Sequence, residues 1–208
     1  MVQYPIGLVV QAPGRRSRLL ALLGVLFPLK MLLGLPALVI VYVASLLGGI
    51  LAWITYAVVT VTGRMPEGLE NLLRKVLEWS SWSLAWLWGV TDLYPVLGSS
   101  PGPGPGEGDT ERVYTLTVES APRRSRILAL LGFVSLKNLL LLPQLVVFVF
   151  VYLAAAVTAW VGFWIVLFTG RMPPGLHAFL AGAVRWNVRI GAWSWGLCDR
   201  YPPFALRD

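Results

Sequence analysis

The sequence is poor in the side chains that carry out chemistry. It has one cysteine, Cys198, and one histidine, His177. A single cysteine excludes an intrachain disulfide and a thiolate cluster. Together the two residues exclude most zinc sites within one chain, which need three or four ligands. Acids are also scarce, with 10 Asp and Glu against 17 Lys and Arg. There is no phosphate loop, dinucleotide fingerprint, nucleophile elbow or HExxH. Asp92 and Asp199 are the only acids at matched positions before an aromatic-proline turn. Each is expected to cap a turn or pair with a nearby arginine, since a catalytic acid needs a close partner and a shifted pKa. The expectation is therefore no enzyme and no cofactor. His177 is expected as an interfacial polar residue, and Cys198 as a small buried hydrophobe. Met1 to Pro13 lacks a basic region followed by an apolar core, so no cleaved signal peptide is expected.

Charge is low overall, at 13%, while 57% of residues are hydrophobic. A soluble domain averages roughly 25% charged and about 45–50% apolar. The balance makes lipid the main solvent. The 10 Trp and 7 Tyr fit a membrane–water interface, where amphipathic rings gather. The net charge of +7 comes with no basic stripe interleaved with base-stacking aromatics, so nucleic acid is not expected as a partner. Basic residues flanking membrane segments explain it better, facing anionic lipid on the cytoplasmic side.

A repeat sets the organisation. Thr62-Gly63-Arg64-Met65-Pro66 recurs as Thr169-Gly170-Arg171-Met172-Pro173, and Gly-Leu follows both times. Residues 1–97 form the first copy and 110–208 the second. Gly98 to Asp109, alternating Pro and Gly, is a linker that can form neither ladder nor helix.

Each copy opens on a short extended segment, Val2–Val10 or Val113–Glu119, with the alternation of a half-buried strand. A basic group follows: Arg15, Arg16 and Arg18, or Arg123, Arg124 and Arg126. These read as topology anchors or as contacts to anionic lipid or a partner. Leu19–Leu35 and Ile127–Leu142 are apolar but broken by Lys30 or Lys137. At about 1.5 Å per residue each reaches roughly 25 Å, short of the ~30 Å hydrocarbon core. Each could lie in the interface, re-enter, or span with its lysine snorkelling. Pro36 or Pro143 should then kink the helix or mark a corner. Pro36–Thr62 and Pro143–Thr169 are uncharged and, at about 40 Å, long enough to cross with tilt. Leu69–Leu87 has the i, i+3, i+4, i+7 spacing of an amphipathic helix. Its counterpart carries Arg185 and Arg189, which suit an interfacial helix and not a span. Asp92-Leu93-Tyr94-Pro95 and Asp199-Arg200-Tyr201-Pro202 close the copies.

The second copy, Ser125 to Phe204, resembles the small prokaryotic membrane-protein family known as domain of unknown function 4389. The motifs are Ser125-Arg126, Phe168-Thr169-Gly170-Arg171-x-Pro173 with Gly175-Leu176, Arg185-Trp186-Asn187-x-Arg189, and Asp199-Arg200-Tyr201-Pro202-Pro203-Phe204. The first copy keeps Ser17-Arg18, the Thr62–Pro66 corner, Gly68-Leu69, Trp79 and Asp92-x-Tyr94-Pro95. It departs at Glu78 and Trp82, where the second has Arg185 and Arg189, and at Val96 in place of Pro203. The resemblance implies a membrane location and no activity.

The expected fold is a mainly α integral membrane protein, a tandem duplicated unit of short strand, apolar hairpin or kinked span, and interfacial amphipathic helix. The expected function is a structural, accessory-subunit or lipid-organising role, with anionic lipids and other membrane subunits or a second copy as partners. The alternative is a transporter or channel component. Arg64 is expected to pair with Asp92, and Arg171 with Asp199. Arg185 and Arg189 join the two basic groups as candidate lipid or partner contacts. The expected location is a multi-pass prokaryotic plasma membrane protein with both basic groups cytoplasmic. Each copy would cross an even number of times, by a hairpin turning near Pro36 or a little after it, and near Pro143; the competing arrangement lays Leu19–Leu35 flat in the interface, spans with Pro36–Thr62 and returns through the Trp-rich helix.

Overall fold

The computed structural model describes residues 4–10, 14–96 and 114–206. The Pro/Gly linker, the Ala12-Pro13 step and the outer ends of both extended segments lie outside the described residues. The elements repeat in the same order. The first half holds β1 (Ile6–Val10), α1 (Arg18–Val25), α2 (Phe27–Thr62) and α3 (Glu67–Leu87). The second holds β2 (Tyr114–Val118), α4 (Arg126–Phe133), α5 (Leu136–Leu139), α6 (Leu142–Thr169) and α7 (Pro174–Ser194).

Local chemistry explains the boundaries. Ser17 and Ser125 cap α1 and α4, each accepting a hydrogen bond at 3.3 Å from the backbone N–H three residues on, a cap worth about 1 kcal/mol. The helices α2 and α6 both stop at a glycine in the left-handed region, Gly63 and Gly170, each at φ 71°. A side chain there would strain the backbone. Pro66 and Pro173 then precede α3 and α7.

The corner expected near Pro36 is not there. Pro36 sits inside the continuous α2, and the break falls earlier, at Leu26 between α1 and α2. In the second half the chain breaks twice, and Pro143 stands in the first turn of α6, where its missing N–H costs nothing.

The copies interlock. β1 and β2 pair antiparallel with Leu8 opposite Leu116. The helix α1 packs on α6 of the other copy, and α4 on α2. Glycine permits both contacts: a Cβ at Gly24 would lie 2.6 Å from the Phe163 ring, and one at Gly132 would lie 2.7 Å from Tyr56. The core lies between α3 and α7, where Leu73, Leu77, Trp82, Ala85, Leu180, Val184 and Val188 are buried. Trp79, Trp82, Trp86, Trp88, Trp186 and Trp193 are buried too. Most tryptophans therefore fill the core and do not form an interfacial belt. Trp53 and Trp160 stay about half exposed, at 51% and 46%.

Two helices, Leu29–Thr62 and Leu142–Thr169, are long and apolar enough to cross a membrane. In their most apolar stretches only 17% and 22% of residues are buried. One face of α2 is covered from end to end: Lys30, Ala37, Gly48, Ala52, Thr55, Tyr56 and Val59 are buried. The remaining faces expose Val39, Val43, Leu46, Leu47, Ile50 and Val61.

Candidate functional site

The two basic groups settle at opposite ends of α3. At one end the Arg16 N–H donates to Gly170 O at 2.9 Å, and its Nη2 donates to Val90 O at 2.8 Å. Asp92 stands 3.5 Å from Arg16 Nη1 and accepts from Ser17 N–H at 2.8 Å. At the other end Arg124 N–H donates to Gly63 O at 3.0 Å, and Ser125 N–H donates to Asp199 at 2.6 Å. Arg124 Nη2 lies 3.5 Å from Glu70, whose carboxylate also accepts from the Ser120 hydroxyl. Each basic group is thus stitched to the glycine corner of the other copy.

These contacts replace the expected pairs. Asp92 takes its ion pair from Arg16, not Arg64, and Asp199 is held by the Ser125 backbone, not by Arg171. The reason is geometric. Arg64 and Asp92 stand at opposite ends of the 21-residue α3, roughly 30 Å apart at 1.5 Å per residue.

With those carboxylates turned inward, an arginine-lined recess remains at each end. One of about 670 Å³ is lined by Arg15, Arg16, Arg18, Thr169, Gly170 and Arg171. The other, of about 580 Å³, is lined by Arg123, Arg124, Arg126, Thr62, Gly63 and Arg64. Both copies contribute to each recess, and neither lining contains an acid. Arg16 and Arg124 are buried and act as anchors. Burial pushes the Arg16 pKa below its ordinary value, and Asp92 opposes that shift. Arg15, Arg18 and Arg171, like Arg123, Arg126 and Arg64, are exposed. The corner threonine shapes the rim: Thr169 Oγ1 accepts from Arg171 N–H at 3.2 Å, and Thr62 does the same for Arg64. The absent glycine side chain leaves room for the Arg126 guanidinium, whose Nε would lie 3.0 Å from a Cβ at Gly63.

Arg185 and Arg189 do not join these recesses. Arg185 Nε donates to Leu8 O at 2.9 Å and its Nη1 to Leu206 O at 3.0 Å. Arg189 is 2% exposed and donates to Ala205 O at 3.4 Å. Arg185 ties β1 and the C-terminal segment onto α7, and Arg189 ties the C-terminal segment, because the ribbon covers the face that the sequence alone leaves open. The lysines do not snorkel either. Lys30 Nζ lies 4.1 Å from the Phe163 ring centre and 5.0 Å from that of Trp86. Lys137 Nζ lies 4.5 Å from Trp193 and 5.0 Å from Tyr56. Each lysine is held by an aromatic from either copy, an arrangement that stabilises a desolvated cation. Tyr94 and Tyr201 donate to Leu33 O and Leu140 O, matched carbonyls just before Pro36 and Pro143. His177 is buried near Arg16 and the Val90 backbone, and its Nε2 makes no hydrogen bond. Cys198 is buried. Among the described residues no three His, Cys, Asp or Glu side chains group to hold a metal.

The family model described as domain of unknown function (DUF4389) matches this chain twice, over residues 27–97 and 133–205. No curated protein and no solved structure matches it.

Proposed function

The chain belongs to the DUF4389 family in two tandem copies, and from that premise we propose a lipid-organising membrane protein whose two recesses hold anionic headgroups. The observation that carries the reading is the acid-free lining of both recesses by exposed arginines from both copies, beside long helices that expose apolar side chains. An arginine fork matches phosphate oxygens bidentately. The basic ends face the cytoplasm of a prokaryotic plasma membrane, following the positive-inside tendency. Association with other membrane subunits or a second copy belongs to the same structural role. The reading assigns no catalytic step and no cofactor.

Native mass spectrometry after mild detergent extraction tests it. The wild type should retain phosphatidylglycerol or cardiolipin over phosphatidylcholine. A variant with Arg15, Arg18, Arg171, Arg64, Arg123 and Arg126 all changed to Gln should lose that preference. Equal retention of both lipid classes by the wild type defeats the proposal. A transport reading draws on one cleft of about 320 Å³, lined in part by Ser45, Ser80, Asn138, Asn187 and Ser194. Solute flux into proteoliposomes that stops in Asn138→Leu would favour it.

A further inference from the structure

We infer that the helices lie in the membrane plane, embedded in one leaflet, with the β-ribbon in water and both arginine recesses at the headgroups of that same leaflet. This rests on the membrane reading above and goes beyond it. The sequence expectation of multiple crossings treats α2 and α6 as upright spans, and two features of the fold oppose an upright bundle.

The first is the ribbon. Tyr114 meets Ser81 in the second half of α3, and Ser120 meets Glu70 near its start. Arg185, midway along α7, bonds Leu8 of β1. The ribbon therefore runs lengthwise along the middle of the α3/α7 pair. In an upright bundle it would sit at the bilayer centre. A two-stranded ribbon has unpaired outer edges, and such edges do not occur facing hydrocarbon.

The second is the sidedness of α3. At 100° per residue, Glu70, Asn71, Arg74, Glu78 and Ser81 fall on one half of the helix, the half that meets the ribbon. Leu69, Leu72, Val76 and Ser80 fall on the other half, where Val76 meets Gly48 of α2. A ribbon, an amphipathic layer and an apolar layer are stacked in that order. Laid flat, the stack passes from water through headgroups to acyl chains. One layer of helix is about 10–12 Å thick, within half of the ~30 Å hydrocarbon core. The recesses then lie roughly 30 Å apart, the length of α3, on one face of the membrane.

The experiment uses the full chain with Cys198→Ala and single cysteines at matched, exposed positions near opposite ends of the bundle, Asn71→Cys and Ala178→Cys, and on the ribbon, Thr117→Cys. An impermeant maleimide is applied to spheroplasts and to inverted vesicles. All three sites should label from the same side. Labelling of Asn71→Cys and Ala178→Cys from opposite sides overturns the in-plane placement and leaves the membrane reading standing. Spin labels at Val39, Ile50 and Val61, all exposed on α2, give an independent measure. Similar depths, none beyond the bilayer midplane, support the proposal; a sharp maximum at Ile50 overturns it. Failure of the protein to float with phosphatidylglycerol vesicles defeats the membrane reading itself.

Discussion

The two halves solve the same problem with different chains. In both, a short capped helix must deliver a lysine to an aromatic pair. The first half has five residues between Gly24 and Lys30; the second has four between Gly132 and Lys137. The longer connection bends once, at Leu26, and runs on as a single 36-residue helix. The shorter one forces Ser135 into the left-handed region at φ 62°, and the chain breaks again before a 28-residue α6. The ends nevertheless agree: both lysines lie over matched rings, both glycine corners accept from the other copy, and both aspartates hold a serine N–H. What the repeat preserves is a set of anchor contacts, and helix continuity between them is free to vary. The halves differ most where Glu70 has His177 as its counterpart. One end sets a carboxylate against Arg124; the other sets an imidazole beside Arg16.

Removing the anchor arginines should break this comparison hardest. Arg124→Met leaves the Glu70 carboxylate, only 12% exposed, with no cation and only the Ser120 hydroxyl, and should cost about 3–5 kcal/mol, the range for halving a buried ion pair. Arg16→Met should cost less. Its Asp92 is 30% exposed and keeps the Ser17 N–H. Urea unfolding in detergent, followed by tryptophan fluorescence, ranks them; Arg16→Met as the costlier change would mean the ends are not held as described.

The glycine contacts should behave alike in both halves. Gly24→Ala and Gly132→Ala each push a methyl into a ring, an overpacking cost of about 1–3 kcal/mol. A cost confined to one half, read by the same unfolding assay, would show that only one short helix is locked to the opposite copy.

Relieving the strained connection is the next smaller effect. Ser135→Gly should stabilise by about 1 kcal/mol, since an L-residue in the left-handed region costs roughly 1–2. Thermal unfolding checks it. No gain would mean that the shorter connection carries no strain.

Much of this was legible in the residues. The glycine corners, the amphipathic α3 and the two short strands, though not their pairing, follow from local chemistry that acts within a few residues. The partners across the chain were not. Arg64 and Asp92 look close because they bracket one helix, yet a helix of that length holds its ends far apart. That signal was present in the length of the Leu69–Leu87 pattern. Arg185 and Arg189 carry no such signal, since an arginine under a ribbon and an arginine in headgroups share the same sequence. The two lysines are similar: nothing near Lys30 names Phe163 as its ring, because the contact exists only once two copies interlock.

The smallest expected effect sharpens the contrast between Glu70 and His177. Burial depresses the His177 pKa below its ordinary value, and Arg16 depresses it further, while the nearby Val90 backbone works the other way. The folded chain therefore keeps this imidazole neutral at pH values where the unfolded chain, titrating near 6.5, takes up a proton. Stability rises with pH wherever the unfolded state binds more protons. The contribution is complete above about pH 6.5 and is lost as the pH falls below it toward the depressed folded value. His177→Asn removes this dependence, so the stability difference between wild type and variant should shrink on going from about pH 7.5 to 5.5. Arg16→Met should soften the same dependence by removing the neighbouring positive charge. Urea midpoints across that range provide the measurement. A wild-type minus His177→Asn difference that stays flat with pH would mean that this end does not sense protons, and that the two ends differ in sequence without differing in charge behaviour.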